Sequence, residues 1–205
     1  MTQDGLIGST VMRRGHFLLE SGHHGDLWLD LELLCLRPRQ LEGSVSALSA
    51  QLRGHAVDAV CGPLNEGTFV ALMVASQLDV EFYYAERFER APSDQLFPVE
   101  YRLPAALRSS VHGKRVAIVN DVINAGSAVR GAYTDLLACG AEPVALASLL
   151  VLGESAARFA EEKNIPLLSV AQLANRVWTP SECPLCATGT PLVDPSCTPV
   201  EPEPD

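Results

Sequence analysis

Residues Val116–Leu137 read VAIVNDVINAGSAVRGAYTDLL and carry the clearest structural pattern in the sequence. It begins with an apolar run, continues through Asn120 and Asp121, and passes into the small-residue turn Asn124–Ala128 before apolar positions recur at helical spacing. This pattern predicts a buried strand, a loop and a helix. The two polar side chains therefore stand at the carboxyl end of a strand, where parallel sheets bind ligands.

The turn has the composition of an anion-binding loop. Its small residues let backbone N–H groups face an anion, and the N-terminus of the following helix points at the same place. Asn124 and Ser127 add side-chain donors. Asp121 would repel a phosphate, but its carboxylate can accept hydrogen bonds from sugar hydroxyls nearby. We therefore infer a site for a phosphorylated sugar at this turn.

The segments around the turn alternate between strand and helix patterns, which favours a parallel sheet with helices on both sides. Apolar residues at helical spacing predict a helix over 39–53. The other predicted helices cover 67–78, 128–140 and 154–164, and the predicted strands cover 56–63, 80–86, 114–120 and 143–152.

The remaining segments do not follow this alternation. The first dozen residues predict a short helix, and residues 15–34 predict short strands or a hood over a site. Residues 87–114 form a long excursion of the kind that often serves as a lid. We assign residues 1–177 to one domain, with 1–38 contributing to the hood, and residues 178–205 to a Cys/Pro-rich segment with an acidic tail.

Composition excludes some classes of function. The formal net charge of -10, from 15 Lys and Arg against 25 Asp and Glu, argues against nucleic acid as a partner. The chain has no secretory leader pattern and no apolar run of about 18 residues, so we expect no membrane association and a cytoplasmic location.

Three stretches in order resemble the type I phosphoribosyltransferases, and orotate phosphoribosyltransferases in particular. They are GHFLLESGHHGDLWLD from Gly15, CGPLNEGTFVA from Cys61, and the signature VAIVNDVINAGSAV. The resemblance covers about residues 14 to 152. It implies an α/β fold with a mainly parallel central sheet flanked by helices and a small N-terminal hood. It also implies a homodimer.

The resemblance implies that a nucleobase, with orotate favoured, displaces pyrophosphate from phosphoribosyl pyrophosphate with the help of Mg²⁺. Asn120 and Asp121 would hold the ribose hydroxyls, and Arg87 would act on the pyrophosphate as the third catalytic residue. The residues implied for the 5-phosphate are Asn124, Ala125, Gly126, Ser127 and Ala128, and those implied for the pyrophosphate are Pro63, Asn65, Glu66 and Gly67.

The chain also departs from the family pattern. Asn120 stands where an acid is usual, Glu66 adds a negative charge to the pyrophosphate loop, and the excursion has no Lys before Lys114. These features support an alternative, a catalytically weakened or inactive homologue that binds phosphoribosyl ligands and regulates. No Arg follows the strand 143–152 before Arg158, so the identity of the base stays open.

The C-terminal cysteines have the spacing of half a zinc site. Cys183 and Cys186 form a CPLC motif that Cys197 follows, but four ligands are needed and no His comes after Cys186. We expect a reduced, metal-free turn and predict no metal ligand, with structural zinc and an interaction module as alternatives. In the hood, His23 or His24 is either a base contact or part of a surface turn.

Overall fold

The computed structural model describes residues 12–89, 96 and 99–195. The main strands are β3 (Ala59–Pro63), β4 (Glu81–Glu89), β5 (Val99–Arg102), β6 (Arg115–Ile123), β7 (Glu142–Leu152) and β8 (Leu167–Leu173). The helices are α1 (Pro38–Leu52), α2 (Glu66–Leu78), α3 (Ser127–Ala138), α4 (Ser155–Lys163) and the short α5 (Pro184–Ala187). The hood strands are β1 (Met12–Leu18), β2 (His24–Leu29) and β9 (Val177–Trp178), and short 3-10 helices cover Leu31–Leu36, Arg53–His55, Ala105–Leu107 and Pro180–Glu182.

The central sheet has the strand order β5-β4-β3-β6-β7-β8. All neighbouring pairs are parallel except β4 and β5, which pair in antiparallel fashion. Alternate residues of β3 and β6 enter two separate buried clusters, one on each face of the sheet. The predicted α/β architecture is therefore confirmed.

Each face of the sheet is covered by a pair of helices. Helix α1 buries Leu41, Val45, Leu48 and Leu52, the positions whose spacing predicted it, and it shares one cluster with α2. Helices α3 and α4 fill the cluster on the opposite face. Both faces of β3 are consequently covered, and all five of its residues are buried.

Two strands of the sheet, β5 and β8, were not among the strands predicted from the sequence. Strand β8 lies at the edge of the sheet beside β7, and only Ala171 among its residues is fully buried. A half-buried edge strand lacks the continuous apolar run of β7, which the sequence did predict. The predicted strand 56–63 also begins later, at Ala59, because Ala56 adopts a left-handed conformation with φ of 47°.

The predicted hood is a three-stranded antiparallel sheet in the order β1-β2-β9. Residues after β9 fold back along it: the Val193 N–H donates to His16 O at 2.8 Å, and Val193 O accepts from Leu18 N at 2.9 Å. The C-terminal segment, as far as residue 195, thus packs against the hood. The short helix predicted at the N-terminus lies outside the described residues except for Met12, and the predicted acidic tail lies wholly outside them.

Part of the predicted excursion 87–114 is regular structure. Strand β4 continues to Glu89 and β5 returns beside it, with Arg87 opposite Tyr101. Residues 90–95, 97 and 98 are outside the described part of the chain, so the lid stays a prediction. Within the described residues, the structure has no helix that is long and apolar enough to cross a membrane.

Candidate functional site

The candidate site lies where the connections of the central sheet change direction. Strand β3 leads through α2 to β4 on one side, whereas the neighbouring β6 leads through α3 to β7 on the other. The loops that leave the carboxyl ends of β3 and β6 therefore diverge and open a crevice between them. The three stretches singled out from the sequence converge at this point of the sheet.

The first loop, Pro63–Gly67, is held close to the sheet. The Leu64 N–H donates to Ala85 O at 2.9 Å, and Thr68 Oγ1 donates to Gly62 O at 3.1 Å. A Cβ atom on Gly62 would lie 2.6 Å from the Ala71 Cβ, so this close approach of loop and helix requires glycine. Asn65 is exposed and Glu66 half-buried at the start of α2.

Asn120 connects this loop to β6. Its side chain lies directly against Gly67, in the space that a Cβ on that glycine would fill. The Asn120 side-chain amide donates to Val122 O at 2.7 Å, a bond that a carboxylate cannot make. The neutral side chain at this position thus fixes the local backbone of β6 and packs against the loop Pro63–Gly67.

Asp121 is buried at the end of β6, with only 3% of its surface exposed. Burial raises the pKa of the neighbouring Cys35 thiol to about 11, and the negative charges of Asp121 and Glu66 add to this shift. Two carboxylates from different loops therefore act on the same thiol. Both side chains carry oxygen atoms of the kind that Mg²⁺ prefers as ligands.

The second loop, Asn124–Ala128, is fixed from outside. Asn175 Nδ2 donates to Asn124 Oδ1 at 2.7 Å, and Ser155 Oγ donates to Ala125 O at 2.9 Å. Gly126 adopts a left-handed conformation with φ of 88°, which favours glycine, immediately before α3 begins. The loop is held rigidly, and the first N–H groups of α3 lack partners within the helix, as at any helix N-terminus.

Glu20, at the turn of the hood hairpin, lies across the second loop. Its carboxylate accepts hydrogen bonds from Ser127 Oγ at 2.7 Å, from Tyr101 OH at 3.1 and 3.2 Å, and from Arg87 Nε at 3.0 Å. Burial raises the pKa of Tyr101, and the negative charge of Glu20 adds to the effect, so the phenol stays a donor. The sequence reading did not single out Glu20 or Tyr101.

The cations of the excursion are distributed over several places. Arg87 pairs with Glu20 at 3.0 Å, and its role at the pyrophosphate stays a prediction. Arg108 instead pairs with Asp135 of α3 at 2.8 Å, and Lys114 pairs with Glu81 at 2.8 Å. Arg102 pairs with Glu100 on the hairpin itself, and Arg90 lies outside the described residues.

The histidines of the hood separate into two groups. His23 lies near Arg130 beside the second loop; its pKa is lowered by burial, and the Arg130 charge adds to this effect. His24 is buried and turned the other way, with its Nδ1 3.0 Å from His16 Nε2. His24 is therefore not positioned to contact a base in this crevice. Trp28 donates to Asp30 at 3.2 Å and packs beside Phe17.

Comparison with known proteins identifies the family and the fold. Residues 37–178 match the family model described as phosphoribosyl transferase domain. An orotate phosphoribosyltransferase of Caldanaerobacter subterraneus subsp. tengcongensis is 29% identical over 185 residues, which are 90% of this chain and 90% of that protein.

Two crystal structures show the same fold. Orotate phosphoribosyltransferase from Aeropyrum pernix aligns with a TM-score of 0.60 and 23% identity, over 81% of this chain and 89% of its own. Adenine phosphoribosyltransferase from Rhodothermus marinus aligns with a TM-score of 0.65 and 19% identity, over 83% of this chain and 98% of its own. The fold is thus shared by proteins named for different bases.

Proposed function

The chain belongs to the phosphoribosyl transferase domain family, and from this premise we propose that it transfers 5-phosphoribose between phosphoribosyl pyrophosphate and orotate. One observation carries the proposal: Asn120 of β6 packs against Gly67 of the loop Pro63–Gly67, and the same strand leads into the turn Asn124–Ala128, which Asn175 and Ser155 hold in place. Two anion-binding loops with a buried carboxylate between them match a ligand that carries a phosphate, a pyrophosphate and a ribose ring.

Each group of the site has a separate part in this proposal. The N–H groups at the start of α3 and the Ser127 hydroxyl bind the 5-phosphate. The Asp121 carboxylate accepts hydrogen bonds from the ribose hydroxyls. The loop Pro63–Gly67 binds the pyrophosphate, and Arg87 stabilises the negative charge of the pyrophosphate as this group leaves. Because positive charge develops on the sugar as the bond to pyrophosphate breaks, Asp121 stabilises the transition state.

The donor set of the crevice fits Mg²⁺. Asp121 and Glu66 offer carboxylate oxygens that both act on Cys35, and hard oxygen ligands suit this ion. When bound together with the substrate, Mg²⁺ would supply positive charge to the pyrophosphate oxygens. Binding of Mg²⁺ would give the negative charge of Glu66 a function, because next to pyrophosphate alone this charge would only repel the ligand.

The name of the similar curated protein supports orotate as the base. The relative from Caldanaerobacter is named for orotate and matches 90% of both chains, whereas the structural match from Rhodothermus is named for adenine and is only 19% identical. Orotate carries a carboxylate, and Arg130 is the cation that we propose for it. Arg130 lies near His23, and its Nη2 donates to Ser155 O at 3.4 Å. Arg158, by contrast, pairs with Glu154 at an exposed position on α4.

Two measurements test the proposal. Titration calorimetry with phosphoribosyl pyrophosphate and Mg²⁺ should show binding, and omission of Mg²⁺ should weaken it. A pyrophosphate-release assay with orotate, uracil and adenine should then give the highest rate with orotate. Faster release with adenine would overturn the choice of base, and absence of binding would overturn the proposed site itself.

Glu20 favours a second candidate function, a regulatory protein that binds phosphoribosyl ligands without turnover. Its carboxylate accepts hydrogen bonds from Ser127 Oγ and Arg87 Nε, two of the groups that the substrate phosphates would contact. A protein of this kind would bind phosphoribosyl pyrophosphate in the calorimeter and release no pyrophosphate with any of the three bases. Release with one of them would exclude it.

We further propose a homodimer in the cytoplasm. All five cysteines in the described residues are free thiols, which fits a reducing compartment. The exposed apolar face of α2 supports self-association.

A further inference from the structure

Four side chains with soft or imidazole ligand atoms meet between the hood and the C-terminal segment. His16 lies on β1, His24 on β2, and Cys183 and Cys186 flank the start of α5. One ligand atom from each lies within 4.8 Å of the others, and all but Cys186 are buried. The CPLC motif is thus joined by two histidines that precede it by more than 150 residues, rather than by one that follows it.

The distances between the ligand atoms are close to those of a tetrahedral zinc site. His16 Nε2 lies 3.0 Å from His24 Nδ1 and 3.4 Å from Cys183 Sγ. Cys186 Sγ lies 3.3 Å from His24 Nδ1 and 3.8 Å from His16 Nε2. Ordinary Zn–N and Zn–S bonds arranged tetrahedrally place neighbouring ligand atoms about 3.3–3.8 Å apart. Small movements of the side chains would therefore complete the coordination.

The surrounding groups set the protonation that a metal requires. His16 Nδ1 lies 2.8 Å from Thr190 O, and because a carbonyl only accepts, this nitrogen carries the ring proton. His16 Nε2 is then left with a lone pair that faces the other three ligands. An outer hydrogen bond to a backbone carbonyl is the usual support of a metal-binding histidine.

The composition of the group identifies the metal and its role. Two thiolates and two imidazoles prefer zinc to magnesium or calcium. Within the described residues no carboxylate joins them, and four protein ligands complete a tetrahedron, as in structural rather than catalytic sites. We propose that the chain binds one structural zinc ion through His16, His24, Cys183 and Cys186.

The position of the ion relates it to the crevice. His16 and His24 flank the turn of the hood hairpin, which carries Glu20 to Ser127. An ion bound to both strands and to the cysteines holds this turn in place and fastens residues 178–195 to the hood. This role does not depend on which base the chain uses, or on whether it turns substrate over.

Metal analysis of the full chain, purified without chelators, tests the site. We expect roughly one zinc per chain, and after replacement by Co²⁺, the visible absorption of a tetrahedral centre together with a thiolate-to-cobalt band. Cys186→Ser should lose most of the zinc and weaken that band, with little risk to folding because Cys186 is exposed. Cys139→Ser, at the C-terminal end of α3 and outside the group, is the matched control and should retain both.

Limited proteolysis supplies a second readout. Chelation of the wild-type protein and the Cys186→Ser change should both speed cleavage within residues 178–195, and added zinc should reverse only the effect of chelation. The proposal is overturned if wild-type protein holds well below one zinc per chain and takes up neither zinc nor Co²⁺ on titration. That result would assign the four side chains to a metal-free hydrogen-bonded cluster.

Discussion

At the scale of single residues, the contact between Gly67 and Asn120 packs the first loop against β6, the strand that leads into the second loop. It leaves no room for a side chain at position 67, and it keeps the Asn120 amide on Val122 O. We expect Gly67→Ala to weaken binding of phosphoribosyl pyrophosphate about five- to tenfold, because displacement of Asn120 breaks a hydrogen bond worth about 1 kcal/mol. Titration calorimetry measures the change.

A matched glycine provides the control for this substitution. A Cβ on Gly54 would meet no atom within 4 Å, so Gly54→Ala should bind the ligand as the wild-type protein does. Unchanged binding by Gly67→Ala as well would show that the loops do not depend on this contact.

The Glu20 carboxylate is the residue-scale feature that opposes an anionic ligand. It accepts a hydrogen bond from Ser127 at the N-terminus of α3, where an anion interacts favourably with the helix dipole by about 0.3–1 kcal/mol. Glu20→Gln removes this internal anion, and we expect ribose 5-phosphate to bind about two- to fivefold more tightly. Competition between the ligand and the carboxylate is then reduced.

Glu142→Gln is the control for charge, since Glu142 pairs with Arg115 at the other end of β6 and β7. Its affinity for ribose 5-phosphate should stay within error of wild type. Weaker binding by Glu20→Gln would mean instead that the carboxylate itself holds part of the ligand.

The sequence predicted the residues of the site better than their contacts. Asn120, Asp121 and Gly126 lie at the strand end and loop where local pattern placed them. Glu20 was missed because its partners are 81 and 107 residues away in Tyr101 and Ser127. Nothing in a hairpin turn marks a carboxylate as the partner of such distant groups.

At the scale of elements, Asp135 ties α3 to the segment that follows β5. Its side chain, buried to all but 9%, accepts from Leu103 N at 2.7 Å and from Arg108 Nη1 at 2.8 and 2.9 Å. We expect Asp135→Ala to lower the free energy of unfolding by about 2–3 kcal/mol, because a buried N–H and a cation lose a charged partner. The Arg108 side chain is 36% exposed, so solvent compensates for part of the loss.

Urea denaturation of Asp135→Ala beside Arg158→Ala checks this expectation. Arg158 pairs with Glu154 on the same helix with both side chains over 70% exposed, so its loss should change stability by less than about 0.5 kcal/mol. Equal effects of the two substitutions would contradict a structural role for Asp135.

Elements with a strong periodic signal were predicted well, and those that depend on neighbours were not. Helix α1 and the buried strand β7 follow directly from their apolar positions. Strand β8 forms because β7 offers it a free edge, and β4 is extended to Glu89 by its partner β5. Such pairing depends on tertiary context rather than on local propensity.

At the scale of the whole molecule, the outer face of α2 supports the proposed homodimer. Phe69 and Leu72 are 53% and 51% exposed one turn apart, and Leu36 of the 3-10 helix Leu31–Leu36 is 71% exposed. If this face forms the interface, Phe69→Glu should convert the dimer to a monomer, since burying an unpaired carboxylate is costly. Sedimentation velocity distinguishes the two states.

Leu137→Glu is the control, because Leu137 is 49% exposed on α3, on the opposite face of the sheet. This variant should remain dimeric. A dimeric Phe69→Glu protein would place the interface elsewhere, and a monomeric wild-type protein would contradict the proposed dimer altogether.

The attachment of the C-terminal segment to the hood could not be predicted from the sequence. Its CPLC motif indicates half of a metal site, but the other half comes from two histidines whose alternating positions look like an ordinary hairpin. Only the fold of the complete chain shows which residues face one another across this distance.

The pairing of Val193 with β1 also bears on how the protein is made. His16 contacts Thr190, which lies 174 residues further along the chain. The ribosome must therefore synthesise every strand of the central sheet before the hood can be completed. Formation of such distant contacts is slow, and newly released molecules should therefore acquire a finished central sheet before a finished hood.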